Sequence, residues 1–320
     1  MKGICIHPPC KNLQAMQKNL FLFIPALFVC VMGNSQKKTI SGTVFNSKDK
    51  KYIPYVNIHI AKSNTFYDTD ETGHFKIDVT DSDSLLFTCI GYDMFTIDAK
   101  TYHQTDSIFL HEKIYELENV TVKNTSSKQL GIIDAKQTRS FAGESISDNY
   151  EIATRMEIPS DINTFRITKV LLKQKNFSTD RPLRLHIYAC DPDGLPGEEL
   201  LKKQVIISES DLRNGILEID IKNQNIILER ASFFVGIQWI TKLITELPKG
   251  RKNDVGIGET SAINDRLTFR RGRILNYKWY INFETGVYLP GNENGKEGVT
   301  PIPIKGNPIN MLAAAVIETL

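Results

Sequence analysis

The chain has 320 residues, 41% of them hydrophobic and 24% charged, which are the proportions of an ordinary globular protein. At about 100–200 residues per domain, two domains fit. Lysine and arginine number 39 against 37 acids, but residues 1–35 hold three lysines (Lys2, Lys11, Lys18) and no acid, so the remainder carries 36 basic against 37 acidic side chains. So even a balance excludes nucleic acid as the main partner, because phosphate binding needs a concentrated excess of Lys and Arg.

The first stretch has a basic residue at Lys18, an apolar run from Leu20 to Met32, and Gly33-Asn34-Ser35 before Gln36. The run is short for a bilayer span, and the small residues Gly33 and Ser35 fit the −3 and −1 positions of a signal-peptidase site. Residues 1–35 therefore read as a signal peptide, with Met16 as an alternative start and no transmembrane segment after its removal. A lipidated start would use Leu27-Phe28-Val29-Cys30, where Val29 is bulkier than the small residue expected before an acylated cysteine. Three of the five cysteines lie in this leader. Cys89 and Cys190 remain, each beside an apolar run, as buried thiols or as a bridge that an oxidising compartment would allow.

From Thr39 the pattern alternates with period two: Ile40, Gly42 and Val44; Val56, Ile58 and Ile60; Phe75, Ile77 and Val79. Polar turns at Asn46 to Lys51 and Thr80 to Ser84 separate these runs, and Pro54 stands where a strand begins and a missing amide donor is tolerated. The stretch Thr69-Asp70-Glu71-Thr72-Gly73-His74-Phe75 reads as a tight turn, with Gly73 free to take positive φ and Asp70 and Thr72 able to bond backbone amides. Further strands are expected at Leu85 to Ile90, Met94 to Ile97, Ser107 to Leu110 and Leu117 to Val122. Seven short strands make a small all-β sandwich.

Five pieces of this region, Ser41-Gly42-Thr43-Val44, Ile53-Pro54-Tyr55-Val56-Asn57-Ile58, Thr69 to Phe75, Ile90-Gly91-Tyr92 and Leu117-Glu118-Asn119-Val120-Thr121-Val122, occur in an order that resembles the carboxypeptidase-regulatory-like domain. The resemblance covers residues 38–123 and implies a transthyretin-like, seven-stranded sandwich. In Bacteroidetes-type envelope proteins that domain is not catalytic and often precedes the plug and barrel of a TonB-dependent receptor. Residues 146–320 are too few for such a barrel.

The domain is placed at residues 36–123, and residues 124–145, which lack periodicity, read as a linker. Across residues 146–320 alternation returns at Ile152 to Ile158, Phe165 to Leu172, Leu183 to Ala189, Val205 and Ile207, Leu217 to Ile221, and Phe233 to Trp239. Turn chemistry at Asp191-Pro192-Asp193-Gly194 and Arg213-Asn214-Gly215 points to a second antiparallel sandwich of jelly-roll type. It resembles uncharacterised secreted β-sandwich domains, a resemblance that brings no known activity.

Candidate chemistry is sparse. Gly143-Glu144-Ser145-Ile146-Ser147 imitates a nucleophile elbow without its closing glycine, and His103, His111 and Glu112 lack the spacing of a zinc peptidase. His59 and His74 lie on the polar sides of alternating strands, where they could be neighbours across a sheet. Asp68, Asp70 and Glu71, or Asp191 and Asp193, offer oxygen ligands for calcium but read better as turn stabilisers. No cofactor and no metal is expected. The cluster with binding character is Arg266, Phe269, Arg270, Arg271, Arg273, Tyr277, Lys278, Trp279 and Tyr280, a mixture suited to a partner surface or, alternatively, to a hairpin with Trp279 in the core. The sequence therefore reads as a non-catalytic, exported envelope protein (periplasmic, outer-membrane associated or secreted) that binds or assembles with an envelope protein or a glycan. The alternatives are an accessory of a glycan- or peptide-processing or TonB-dependent uptake system, and an enzyme whose site is assembled only in three dimensions.

Overall fold

A computed structural model describes residues 37–103, 107–115, 126–141, 150–176, 182–240, 256–263, 265, 267–271, 278–283, 286–288 and 308–320. The leader, the strand expected at Leu117 to Val122 and the Gly143 to Ser147 segment lie outside them.

Seven strands come first: β1 (Lys38–Asn46), β2 (Asn57–Ile60), β3 (Thr65–Asp68), β4 (His74–Val79), β5 (Ser84–Thr88), β6 (Phe95–Asp98) and β7 (Ser107–Leu110). They form a three-stranded sheet, β4-β1-β7, and a four-stranded sheet, β3-β2-β5-β6. Alternation decides which side chains lie between them. In β4 Phe75, Ile77 and Val79 are buried while His74, Lys76 and Asp78 are exposed, and Ile58, Ile60, Leu85 and Phe87 come from the other sheet into the same core. Phe75 and Phe87 meet edge to face across the layers, with ring centroids 5.5 Å apart. Gly73 sits at φ 72°, and a Cβ there would lie 2.8 Å from the carbonyls of Val44 and Ile53, so only glycine closes this turn. Asp70 fixes it by accepting from the Thr72 amide and hydroxyl and from the His74 amide.

The rest of the described chain is also strands: β8 (Ser127–Gly131), β9 (Arg139–Phe141), β10 (Glu151–Met156), β11 (Thr164–Asn176), β12 (Leu183–Cys190), β13 (Pro196–Glu199), β14 (Val205–Ile207), β15 (Leu212–Arg213), β16 (Ile216–Asp220), β17 (Ile226–Glu229), β18 (Phe233–Trp239), β19 (Gly256–Thr260), β20 (Thr268–Arg271), β21 (Tyr280–Phe283), β22 (Gly286–Tyr288), β23 (Asn310–Met311) and β24 (Ala313–Thr319). One sheet runs β13-β12-β18-β10-β20-β21-β22, with β14 also on β12; the other is built around β11, which pairs with β16, β17, β19 and β24. Between them lies one large core, to which Ile152, Leu185 and Phe233 contribute from the first sheet and Phe165, Leu217 and Ile317 from the second. The protein is thus all-β, as expected.

Two sequence expectations are corrected. Part of the stretch read as a linker is sheet: β8 pairs with β24 and β9 with β19, and Leu130 and Ile133 are buried. These short polar strands are held by partners distant in sequence, which local periodicity does not register. His59 and His74 stand in different sheets; His59 stacks on Phe66, with centroids 4.2 Å apart, and bonds Asn64. Of the two alternatives left open for Cys89 and Cys190, the structure has free thiols at both.

Candidate functional site

In the first of these large sheets the outward face carries a row of polar residues that pattern alone would send to solvent. Cross-strand register sets Arg184 of β12 opposite Gln238 of β18, Gln238 opposite Glu151 of β10, and Glu151 opposite Arg271 of β20. Four adjacent strands therefore deliver four polar side chains in one line. Arg184, Gln238 and Glu151 are buried and Arg271 is half-buried. The next residues along β12 on this face, His186 and Tyr188, extend the row, and their rings stack at 5.3 Å with planes only 6° apart.

The groups form two hydrogen-bonded sets that meet at the His186–Tyr188 stack. Arg271 donates from Nε and Nη2 to Glu151 Oε2 at 2.8 and 2.6 Å, and Tyr188 donates to Glu151 Oε1 at 2.7 Å. Arg271 Nη2 also donates to the Tyr188 oxygen. His186 Nδ1 meets Glu199 Oε2, and His186 Nε2 faces Gln238 Oε1, which already accepts from Arg184 Nη1. Glu199 Oε1 takes the Ile187 and Leu201 amides, which pins the carboxylate. Room for this convergence comes from Gly236: a Cβ there would stand 3.0 Å from Glu151 Oε1 and 3.1 Å from atoms of His186 and Tyr188.

Electrostatics follow from burial and pairing. Burial pushes the Glu151 carboxyl up, but the charges of Arg271 and His186 and the hydrogen bonds from Tyr188 and Arg271 outweigh it and hold the carboxyl below its ordinary value. Burial, with Glu151 beside it, pushes the Tyr188 phenol well above the usual range. For Arg271 burial acts downward and is overcome by Glu151 and Tyr188, so its guanidinium holds its proton more tightly. These are paired groups in their charged or hydrogen-bonded forms. They have the character of a framework, not of a nucleophile and base awaiting a substrate.

The small N-terminal sandwich covers part of this face. Arg184 reaches across to the Tyr55 carbonyl and, at 3.4 Å, to the buried Asp68, while Gln204 donates to the Pro54 carbonyl at 3.1 Å. Gly91, at φ 90°, brings its backbone against Lys202; a Cβ there would lie 2.6 Å from the Lys202 carbonyl. The glycine of the Ile90-Gly91-Tyr92 piece therefore serves close approach between the two sandwiches. Beside this contact a cleft of about 510 Å³ remains open, with Glu199, His186, Tyr188 and Arg271 on its floor and Asn57, Phe66, Met94, Lys113 and Tyr115 toward its mouth.

Of the nine residues singled out in the sequence, Phe269 and Trp279 are buried and present no face to a partner. They pack with Ala153, Tyr188 and Phe234, and Arg271 lies 4.5 Å above the Trp279 ring. Arg270 is half-buried, Lys278 is exposed, and Tyr280 begins β21. Arg266, Arg273 and Tyr277 lie outside the described residues. Among the six of the nine that are described, Arg271 alone lines the cleft. Glu151, Arg184, His186, Tyr188, Glu199 and Gln238 were missed. A signal existed: Arg184-x-His186-x-Tyr188 places three groups of costly burial on one face of an otherwise apolar strand, and Gly236 interrupts another.

Residues 40–122 match the family model of the CarboxypepD_reg-like domain. The TonB-dependent receptor P3 of Formosa agariphila is 32% identical over 114 residues, which is 35% of this chain and 11% of the receptor. The chain thus spans about a tenth of the length of this curated relative. Among solved structures, the cysteine protease and lectin-like domains of Cwp84, a surface layer associated protein of Clostridium difficile, align at a TM-score of 0.36 with 11% identity, covering 88% of this chain and 58% of that one. A putative carbohydrate binding protein from Bacteroides uniformis aligns at 0.22 with 7% identity, covering 62% of this chain and 78% of that one. At such scores neither likeness bears on architecture or function.

Proposed function

We propose, with the CarboxypepD_reg-like domain at residues 40–122 as the premise, that this protein is a non-catalytic, exported module of the cell envelope that binds or assembles with a partner. The observation that carries the reading is the cleft between the two sandwiches, whose floor is a closed set of paired side chains instead of a reactive group. A pocket at a junction of structural units, lined by convergent polar groups with apolar side chains at its mouth, is the usual form of a binding site. Among the described residues no helix is long and apolar enough to cross a membrane, which is compatible with a peripheral place in the envelope and says nothing of barrels.

A second reading is favoured by one observation: the 114-residue likeness to a TonB-dependent receptor. On it, the protein is an accessory of a TonB-dependent uptake system. Cross-linking in intact envelopes, followed by mass spectrometry, tests both. A cross-linked envelope protein or glycan lost on Tyr115→Ala supports the first, and a receptor among the products supports the second. An intact leader on a protein confined to the cytoplasm overturns both.

A further inference from the structure

Resting on the binding-module reading, we propose that the cleft between the sandwiches takes a neutral, hydroxyl-rich ligand, namely a sugar unit of a glycan chain, held by Glu199 and Arg271 at the floor and Tyr115 at the mouth.

Charge balance comes first. Arg184, His186 and Arg271 on this face are met by Asp68, Glu199 and Glu151 respectively, each pair within salt-bridge distance. Both ring nitrogens of His186 already have oxygen partners, Glu199 Oε2 and Gln238 Oε1. A floor so paired offers an incoming ion no counter-charge, and among the described lining residues the other charged side chain, Lys113, is exposed at the mouth where water screens it, so a charged ligand seated on the floor would give up its hydration without return. An apolar ligand would seal the remaining acceptor sites away from water and is disfavoured for the same reason.

Hydroxyl groups escape both penalties, because each one donates and accepts. A carboxylate has about four lone-pair sites; Glu199 uses three, for two backbone amides and His186, and its side chain remains 22% exposed. Arg271 is 32% exposed, and among the described residues its Nη1 makes no hydrogen bond, which leaves a donor on a residue that lines the same cleft. Sugar rings also present apolar C–H faces that suit aromatic surfaces. At the mouth Tyr115 is 38% exposed and Met94 66% exposed. A volume of about 510 Å³ lies within the range of small-ligand sites.

A peptide adding as a strand is the main rival, and the floor is unsuited to it. Both β18 and β10 are hydrogen-bonded to strands on each side, and β12 is flanked by β18 and by β13 and β14. No free edge faces the cleft from these strands, so an entering backbone would leave its own amides unpaired.

The test uses the full chain with its leader removed, titrated calorimetrically with cellohexaose, xylohexaose, mannohexaose, maltohexaose and, as the charged comparison, hexagalacturonate. At least one neutral hexasaccharide should bind, with hexagalacturonate weaker. Tyr115→Ala should lower the affinity about tenfold with an unchanged melting temperature, and Glu199→Gln should lower it as well. Absence of binding by every neutral sugar, preference for hexagalacturonate, or binding indifferent to Tyr115→Ala would overturn the proposal. If sugars fail while an envelope protein is still captured through Tyr115, the binding-module reading stands and only the sugar assignment falls.

Discussion

Gly91→Ala and Gly215→Ala form a matched pair that measures how firmly the two sandwiches are joined. Both glycines have positive φ, 90° and 81°, so alanine at either meets a similar backbone penalty of about 1–2 kcal/mol, partly offset by a less flexible unfolded chain. They differ in surroundings. A Cβ at Gly215 meets nothing within 4 Å, whereas at Gly91 it would stand 2.6 Å from the Lys202 carbonyl. Relief requires two backbones to part by about 0.4 Å to reach the shortest tolerable separation of 3.0 Å, and the same movement stretches the Arg184 contacts to Tyr55 and Asp68. Hydrogen bonds to a charged group are worth about 1.5–3 kcal/mol each, so Gly91→Ala should lose about 2–4 kcal/mol more than Gly215→Ala. Urea unfolding followed by circular dichroism, alongside the fluorescence of Trp239 and Trp279 in the larger sandwich, gives the difference and shows whether the sandwiches part separately. Arg184→Met should make Gly91→Ala cheaper, because the contacts it strains are then already gone. If the two glycine variants lie within about 0.5 kcal/mol of each other, the close approach carries no energy and the coupling argued from it is wrong.

Glu151→Gln should destabilise by about 2–4 kcal/mol at neutral pH, below the 3–5 kcal/mol of a fully buried pair because Arg271 still reaches water. Since the folded carboxyl lies below its ordinary 4.5, the stabilisation is complete above about pH 4.5 and fades as pH falls through the folded value; a wild-type advantage over the variant that grows in acid would contradict this. Gly236→Ala should displace His186 and Tyr188 and cost about 1–3 kcal/mol, read as a fall in melting temperature; an unchanged value would show that the space is not needed. Burial pushes the Cys89 thiol up to about 11, so iodoacetamide at pH 8 should label Cys190 before Cys89, as peptide mass spectrometry would show; the reverse order would refute it.

The first sandwich was legible because its faces differ: Phe75, Ile77 and Val79 turn inward while His74, Lys76 and Asp78 meet water. The second was only half legible. Glu151 to Met156 is buried on both sides, with just Arg155 reaching partial exposure, so strict alternation no longer marks what is inside. Ala313-Ala314-Ala315 carries helix propensity yet opens a strand bonded on both edges, where tertiary pairing overrides local preference. Of the candidate site the sequence showed Arg271 but assigned it to a free surface, since nothing local announces that Glu151 will stand opposite it in register. The other residues of the network, Glu151, Arg184, His186, Tyr188, Glu199 and Gln238, come from four further strands, and their meeting is a property of strand order.

The position of β24 also sets a timetable. This strand is the partner of both β11 and β8, and Thr319 hydrogen-bonds Ser126 across 193 positions of chain. Until the chain has been synthesised as far as Thr319, the long edge of β11 and the short edge of β8 wait without their mate, open to pairing with other molecules. The smaller sandwich meets no such delay, because its described strands all lie between Lys38 and Leu110. During synthesis, amino end first, it can fold and stand as a fixed neighbour while the larger one is still gathering its pieces. The vulnerable interval is then the passage of the last stretch before Thr319, and a chain that stalls there should be caught by proteases between Ser126 and Asn176 while residues 38–110 stay intact.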